Sequence, residues 1–195
     1  MPRVSTAPKP PLQADPAARR SLRARLRGGP LARAIGRADV RLYRLLREDA
    51  QHSSFELPIR RFSGLGEHAG LWLVLGLTGA AVDVRRRERW LRGARAVLGA
   101  YLLNTVLKLV VRRRRPALEA LPALISTPTS LSFPSAHASS SFAAARAYSS
   151  LVPAAPLYAV ATAMALSRVY LGVHFPSDIA AGALLGTAVG SAGRS

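Results

Sequence analysis

Hydrophobic and polar positions are distributed differently on the two sides of residue 67. From Ser21 to Glu48, the apolar residues Leu22, Leu26, Leu31, Ile35, Val40, Leu42, Leu45 and Leu46 recur among arginines. That spacing predicts an amphipathic helix or two, broken near Gly28-Gly29-Pro30. After residue 67 come five apolar stretches: Ala69–Val82, Ala96–Val111 with Lys108 as its one charge, His137–Ser150, a segment from the Pro153 and Pro156 turn to Ser167, and Ile179–Gly193. Each is about 14 to 18 residues, short of the roughly 20 that cross a bilayer. Flanking arginines that snorkel to the headgroups lengthen the usable span. Gly182, Gly186 and Gly190 share one helix face, and Ala138–Ser150 is rich in Ala and Ser, the small residues of helix contacts in lipid. The competing reading is a soluble alanine-rich bundle. No segment has the alternation of a strand.

The expected fold is therefore all-α, a membrane-embedded helical bundle of about five transmembrane helices preceded by an amphipathic helical region. Residues 1–20, rich in Pro, Ala and polar groups, read as a disordered tail. Residues 21–67 form the amphipathic basic region and residues 68–192 the membrane-embedded domain, which implies a multi-pass protein of the cell membrane.

Charge adds a question. The chain has 28 Lys+Arg against 10 Asp+Glu, a formal +18, yet 49% of its residues are hydrophobic and its mean hydropathy is +0.15. Such an excess suits nucleic acid, anionic lipid or a phosphorylated substrate. No zinc-finger spacing or aromatic interleaving of the basic runs supports nucleic acid. The expected partners are the bilayer and a lipid phosphate. With no cysteine there is no disulfide, thiolate metal site or cysteine nucleophile. Four histidines, at 52, 68, 137 and 174, leave little for a metal centre, and neither metal nor cofactor is expected.

Three polar clusters fall at the ends of the apolar stretches. They are Lys108-x6-Arg115-Pro116, where a helix is expected to end at the proline; Pro134-Ser135-Ala136-His137, a turn opening the next helix; and Ser167-Arg168-x5-His174-x3-Asp178. At about one chance in twenty per position, the third pattern alone arises roughly once in 10⁵ starts. Lys108 and Arg168 sit within apolar segments, where an unpaired charge costs several kcal/mol, so each calls for a partner. Phosphoryl transfer without a metal needs cations on the equatorial oxygens, a nucleophile and an acid for the leaving group. Lys108, Arg115 and Arg168 supply the cations, while Ser135 and the backbone N–H groups around Ala136 at a helix start complete an anion cradle. His174 is the candidate nucleophile, Asp178 the acceptor fixing its tautomer, and His137 the acid. Arg112, Arg113 and Arg114 read as a positive flank anchoring a helix in headgroups. Asn104, one turn before Lys108, is a candidate for a hydrogen bond inside the bundle, and His52 and His68 have no such company.

These three motifs resemble the signature of the type 2 phosphatidic acid phosphatase family, which shares its active site with vanadium haloperoxidases and class A acid phosphatases. The resemblance runs from about residue 68 to 192 and implies the same roles for His174, His137, Asp178, Lys108, Arg115, Ser135, Ala136 and Arg168. Its one departure is Ala136, where the family usually has Gly; a positive φ there would strain alanine by roughly 1–2 kcal/mol. Membrane members remove phosphate from lipids. Gly66-Glu67-His68, Ser132–Ser140 and Ala165–Arg168 look like actinobacterial members, which implies a polyprenyl-linked phosphate such as decaprenylphosphoryl-5-phosphoribose. Phosphatidic acid, phosphatidylglycerophosphate and undecaprenyl pyrophosphate are the alternatives, and a soluble phosphatase or a non-catalytic basic membrane-surface protein the competing classes. For the face of the membrane, the short run Arg85–Arg95 and the basic N-terminal region give opposite answers.

Overall fold

Proline, glycine and a few capping side chains set where the helices begin and end. The computed structural model describes residues 29–48 and 55–193, so the expected 1–20 tail, and residues 21–28 and 49–54 of the amphipathic region, lie outside it. The chain divides into two units, Met1–Ala38 and Asp39–Ser195; of the first, only the opening of one helix is described. The described residues are all-α: α1 (Pro30–Glu48), α2 (Glu56–Gly64), α3 (Gly70–Val82), α4 (Arg87–Val111), α5 (Ala136–Tyr148), α6 (Ala154–Tyr170) and α7 (Pro176–Ala192), with single 3₁₀ turns at Glu67–Ala69 and Val84–Arg86. Two isolated antiparallel bridges, Arg114 with Leu131 and Leu118 with Leu121, are the only extended pairings among these residues.

Three of the apolar stretches correspond closely to helices α3, α5 and α7. The second does not. Helix α4 begins at Arg87 rather than near Ala96, because the arginine-rich run is itself helical: Trp90, Gly93 and Ala94 face inward while Arg87, Arg89 and Arg95 stay outside. Asp83 fixes its start, accepting from the Arg86 backbone N–H, the Arg86 side chain and Trp90 Nε1. At the other end the helix stops at Val111, ahead of Pro116. Arg112 takes a left-handed conformation (φ 53°) and its N–H bonds to the Lys108 carbonyl.

Val84–Val111 is the one described helix long and apolar enough to cross a membrane; α2 and α3 qualify together, bent by 49° at the break between them. Helices α5, α6 and α7, of 13, 17 and 17 residues, are shorter. Large apolar side chains cover the outside of the bundle, including Val74, Leu77 and Val82 on α3, Leu98, Leu102, Val106 and Leu109 on α4, and Leu184 on α7. The interior holds small and polar groups: Asn104, Ser139, Ser140, Ser141 and the alanines of α5. Exposed apolar surface of that extent marks contact with lipid or a partner. Inside, Trp72 Nε1 donates to Ser141 Oγ at 2.8 Å, Tyr148 donates to the Trp72 carbonyl, and the Asn104 amide donates to Ser139 Oγ at 3.0 Å.

Helices α5 and α7 approach most intimately. A Cβ at Gly182, Gly186 or Gly190 would lie 2.6, 2.2 or 2.5 Å from the carbonyl oxygens of Ser135, Ser139 and Ala143. Backbone rather than movable side chain occupies that space, so any larger residue forces the helices apart. Gly186→Ala is expected to lower stability by about 1–3 kcal/mol in thermal unfolding of the detergent-solubilised protein. Gly99→Ala, whose Cβ would meet only Val189 at 4.0 Å, is expected to hold or raise it.

Candidate active site

Residues from all three sequence motifs line one cavity of about 190 Å³. Its walls include Lys108, Arg115, Ala136, His137, Arg168 and His174, together with Gly66, Glu67, His68, Tyr101, Thr105 and Thr127–Thr129.

Backbone pairing brings the first two motifs together. Beyond the Arg112 turn, the N–H of Ser132 bonds to the Arg113 carbonyl and that of Arg115 to the Ser130 carbonyl. Lys108 Nζ reaches the same turn, donating to the carbonyls of Pro134 at 2.9 Å and Ser132 at 3.3 Å. The third motif is tied to the second by the Ser135 N–H, which donates to the Asp178 carbonyl at 3.0 Å. Ser135 caps α5 by accepting from the Ala138 N–H, and its buried side chain is not on the cavity wall. Ala136 is the first residue of α5 and is not among the residues with positive φ, so the alanine carries no left-handed strain there.

His174 is buried between two opposite charges. Its Nδ1 lies 3.4 Å from Asp178 Oδ2, and its Nε2 lies 3.2 Å from Arg115 Nη1. A guanidinium only donates, so Nε2 carries a lone pair and the ring hydrogen sits on Nδ1, facing the carboxylate. Burial, and then the positive charges of Arg115, Lys108 and Arg168, hold the imidazole well below its ordinary titration range. Arg115 is itself aimed by the carbonyls of Thr129 and Val173. Asp178 occupies the third position of α7, behind Phe175 and Pro176, where Oδ2 accepts from the Phe175 N–H at 2.9 Å.

Elsewhere on the wall, Arg168 Nη1 donates to Ser63 Oγ at 2.7 Å while its buried Nε has no hydrogen-bond partner among the described residues. His137 Nε2 is 3.2 Å from the Ser63 carbonyl. Glu67 Oε1 stands 3.8 Å from His137 Nε2 and 3.9 Å from Arg168 Nη1. Gly66 permits this convergence: a Cβ there would lie 2.7 Å from His137 Cδ2 and from Met164 Sδ.

Four participants were not identified from sequence. Ser63 and Glu67 lie in a polar stretch with no spacing signal that points to the motifs. Arg113, expected to anchor a helix in headgroups, instead turns inward and bonds Asp178 Oδ1 at 2.9 Å and Asp39 Oδ2 at 2.7 Å. Its neighbours Arg112 and Arg114 remain exposed. Asp39, the fourth, is a buried acid on a helix otherwise full of arginine, and that contrast was its only signal. Among the described residues no group of three or more His, Asp or Glu side chains converges as metal ligands would. The arrangement sets an imidazole, backed by a carboxylate and held at Nε2 by Arg115, in the wall of a cavity lined by three cations, which suits a tetrahedral oxyanion.

The profile of the PAP2 superfamily matches residues 90–193. The decaprenylphosphoryl-5-phosphoribose phosphatase of Mycobacterium tuberculosis is 42% identical over 132 residues, 68% of this chain and 75% of that protein. The protein of that name from Mycolicibacterium smegmatis is 42% identical over 125 residues, 63% and 68% of the two chains. Among solved structures, LpxE of Aquifex aeolicus superposes with a TM-score of 0.64 at 28% identity, covering 80% of this chain and 94% of its own. A transmembrane PAP2-type phosphatidylglycerolphosphate phosphatase from Bacillus subtilis has the same fold, with a TM-score of 0.67 at 24% identity over 89% and 90% of the two chains.

The environment of His174 is checked by titrating ¹³C-labelled histidine by NMR in the solubilised protein. His174 is expected to stay neutral as pH falls through about 6.5, the ordinary histidine value. Arg115→Gln removes a facing positive charge and is expected to move its titration upward.

Proposed function

This chain belongs to the PAP2 superfamily, and from that premise we propose that it is a multi-pass membrane phosphatase that removes phosphate from a lipid through a phosphohistidine intermediate. The setting of His174 carries this reading: on the cavity wall, its Nε2 lone pair accepts from Arg115 Nη1 while Asp178 backs Nδ1, and phosphate oxygens that take over the guanidinium would free that lone pair for attack. Lys108, Arg115 and Arg168 would bind the phosphate oxygens, the unpartnered Nε of Arg168 among the donors. The N–H groups at the start of α5, around Ala136, add backbone donors. Ser135 would act through the helix start that it caps.

In the first step Nε2 of His174 attacks phosphorus and the P–O bond to the lipid breaks. The Nδ1 hydrogen is retained, and Asp178 neutralises the positive charge that develops on the ring. Protonated His137 gives its proton to the departing oxygen, a contribution of about 10²- to 10⁴-fold. Glu67 supplies a counter-charge for that protonated form. In the second step water attacks the phosphohistidine, its proton passing to His137, and orthophosphate leaves with His174 neutral again.

Five helices, α3 to α7, would cross the bilayer, with all three motifs and the cavity on one face. The apolar exterior and the snorkelling arginines of α4 support that placement, and the exposed Leu42, Leu45 and Leu46 of α1 support a helix lying on the lipid surface. The domain organisation is then an N-terminal tail over residues 1–20, a basic amphipathic region over 21–67 and the phosphatase domain over 68–192. The substrate would be a polyprenyl-linked phosphate such as decaprenylphosphoryl-5-phosphoribose, a reading supported by the 42% identity to mycobacterial phosphatases of that name.

A phosphate-release panel tests the proposal. Decaprenylphosphoryl-5-phosphoribose, phosphatidic acid, phosphatidylglycerophosphate and undecaprenyl pyrophosphate are assayed with wild type and His174→Ala. The first lipid is expected to be hydrolysed best, with activity surviving EDTA, inhibited by vanadate, and reduced to background in His174→Ala and Arg168→Ala. Efficient hydrolysis of phosphatidic acid with none of the polyprenyl lipid would reject the substrate; full activity in His174→Ala would reject the mechanism.

A further inference from the structure

Behind Asp178 lies a second layer of charge that the reaction above does not use. Asp39 is 3% exposed and lies on α1, outside the stretch matched by the family. Its Oδ1 accepts from the Ser177 N–H at 2.9 Å, and its Oδ2 accepts from Ser177 Oγ at 2.6 Å and from Arg113 Nη2 at 2.7 Å. Arg113 donates through Nη1 to Ser177 Oγ at 2.6 Å and to Asp178 Oδ1 at 2.9 Å. Its guanidinium also lies 4.3 Å from the centroid of the Phe175 ring. The order of groups is thus Asp39, Arg113, Asp178, His174, with charge alternating along it.

We infer that Asp39, acting through Arg113, is a positioning residue that sets the charge balance and aim of Asp178 and through it the basicity of His174. A lone Arg113 beside Asp178 would neutralise the carboxylate on which the ring depends. Asp39 shares the guanidinium and leaves Asp178 with net negative character. The same carboxylate holds the first turn of α7 through Ser177, so one side chain fixes both the charge and the location of Asp178. Two further α1 residues secure the approach. Tyr43 donates to the carbonyls of Leu121 and Gly172, and Arg47 to those of Pro122 and Tyr170, just ahead of His174.

The sign follows from charge. Asp39→Asn removes a negative charge and lets Arg113 act fully on Asp178, which disfavours the imidazolium, so the titration of His174 falls. Arg113→Gln removes the positive charge, and it rises. The other charged groups around the ring are Arg115 and Lys108 from the first motif, Arg168 from α6, His137 from α5 and Glu67 from the 3₁₀ turn. All are the same in every variant.

NMR titration of His174 in the solubilised full chain reads the inference without any substrate. Asp39→Asn and Arg113→Gln are expected to move it in opposite directions by on the order of half a unit. Asp39→Glu and Arg113→Lys, which keep the charges, are expected to stay near wild type. The activity arm rests on the proposed phosphatase reading: Asp39→Asn should lower kcat by about 10- to 100-fold while KM changes by less than about twofold. Shifts in the same direction, or no shift in either charge-removing variant, overturn the inference. Should Asp39→Asn fail to fold, the Arg113→Gln and Arg113→Lys pair decides it, an equal titration in the two counting against. If wild type releases no phosphate from any lipid while the opposed shifts appear, the phosphatase reading fails and the charge coupling stands.

Discussion

A buried carboxylate is the constraint around which the site is organised. Asp178 is fully buried, and an ionised group there is tolerated only with its partners in place. Two are its own neighbours in the chain, the Phe175 N–H and the Nδ1 hydrogen of His174, and the third, Arg113, comes from beyond the end of α4. Each partner has its own requirement. Arg113 must turn in, so the chain reverses at a left-handed Arg112, and His174 must keep its ring between Asp178 and Arg115. The backbone carbonyl of Asp178 holds the Ser135 N–H as well, so α5 and α7 are registered against each other at the end where the cavity lies.

That registration relies on glycine. With Gly182, Gly186 and Gly190 facing the carbonyls of α5, the two helices meet along their backbones rather than through side chains. Close packing of this kind tolerates few alternative arrangements, which matters where atoms must stay within tenths of an ångström of one another. The rest of the bundle places Trp72, Trp90, Tyr148 and the serines of α5 inside and many of its leucines and valines outside, the distribution appropriate to an apolar surrounding.

Much of this was legible in the sequence because local chemistry dictated it. The apolar stretches became α3, α5 and α7 to within a few residues, and the three motifs reached one cavity because each sits at a helix end where the chain must turn. The misreadings have equally physical causes. Arginine is a good helix former, so the run Arg87–Arg95 extends α4 instead of interrupting it. Within Arg112–Arg115 the residue type is constant, and only backbone geometry decides which guanidinium points inward. Three-dimensional proximity also decided the roles of Asp39, Ser63 and Glu67, which stand far ahead of their partners in the third motif: Ser63 meets Arg168 across 105 positions and Asp39 meets Ser177 across 138.

Asp39 has a further consequence, for inheritance. The stretch matched by the family profile begins at residue 90, whereas the side chain inferred to complete the charge balance behind His174 lies on a helix that ends at residue 48. A substitution confined to that helix would therefore alter the electrostatic setting of His174 while leaving every motif residue in place. Reactivity would then be adjustable from a piece of chain that contains none of the motif letters.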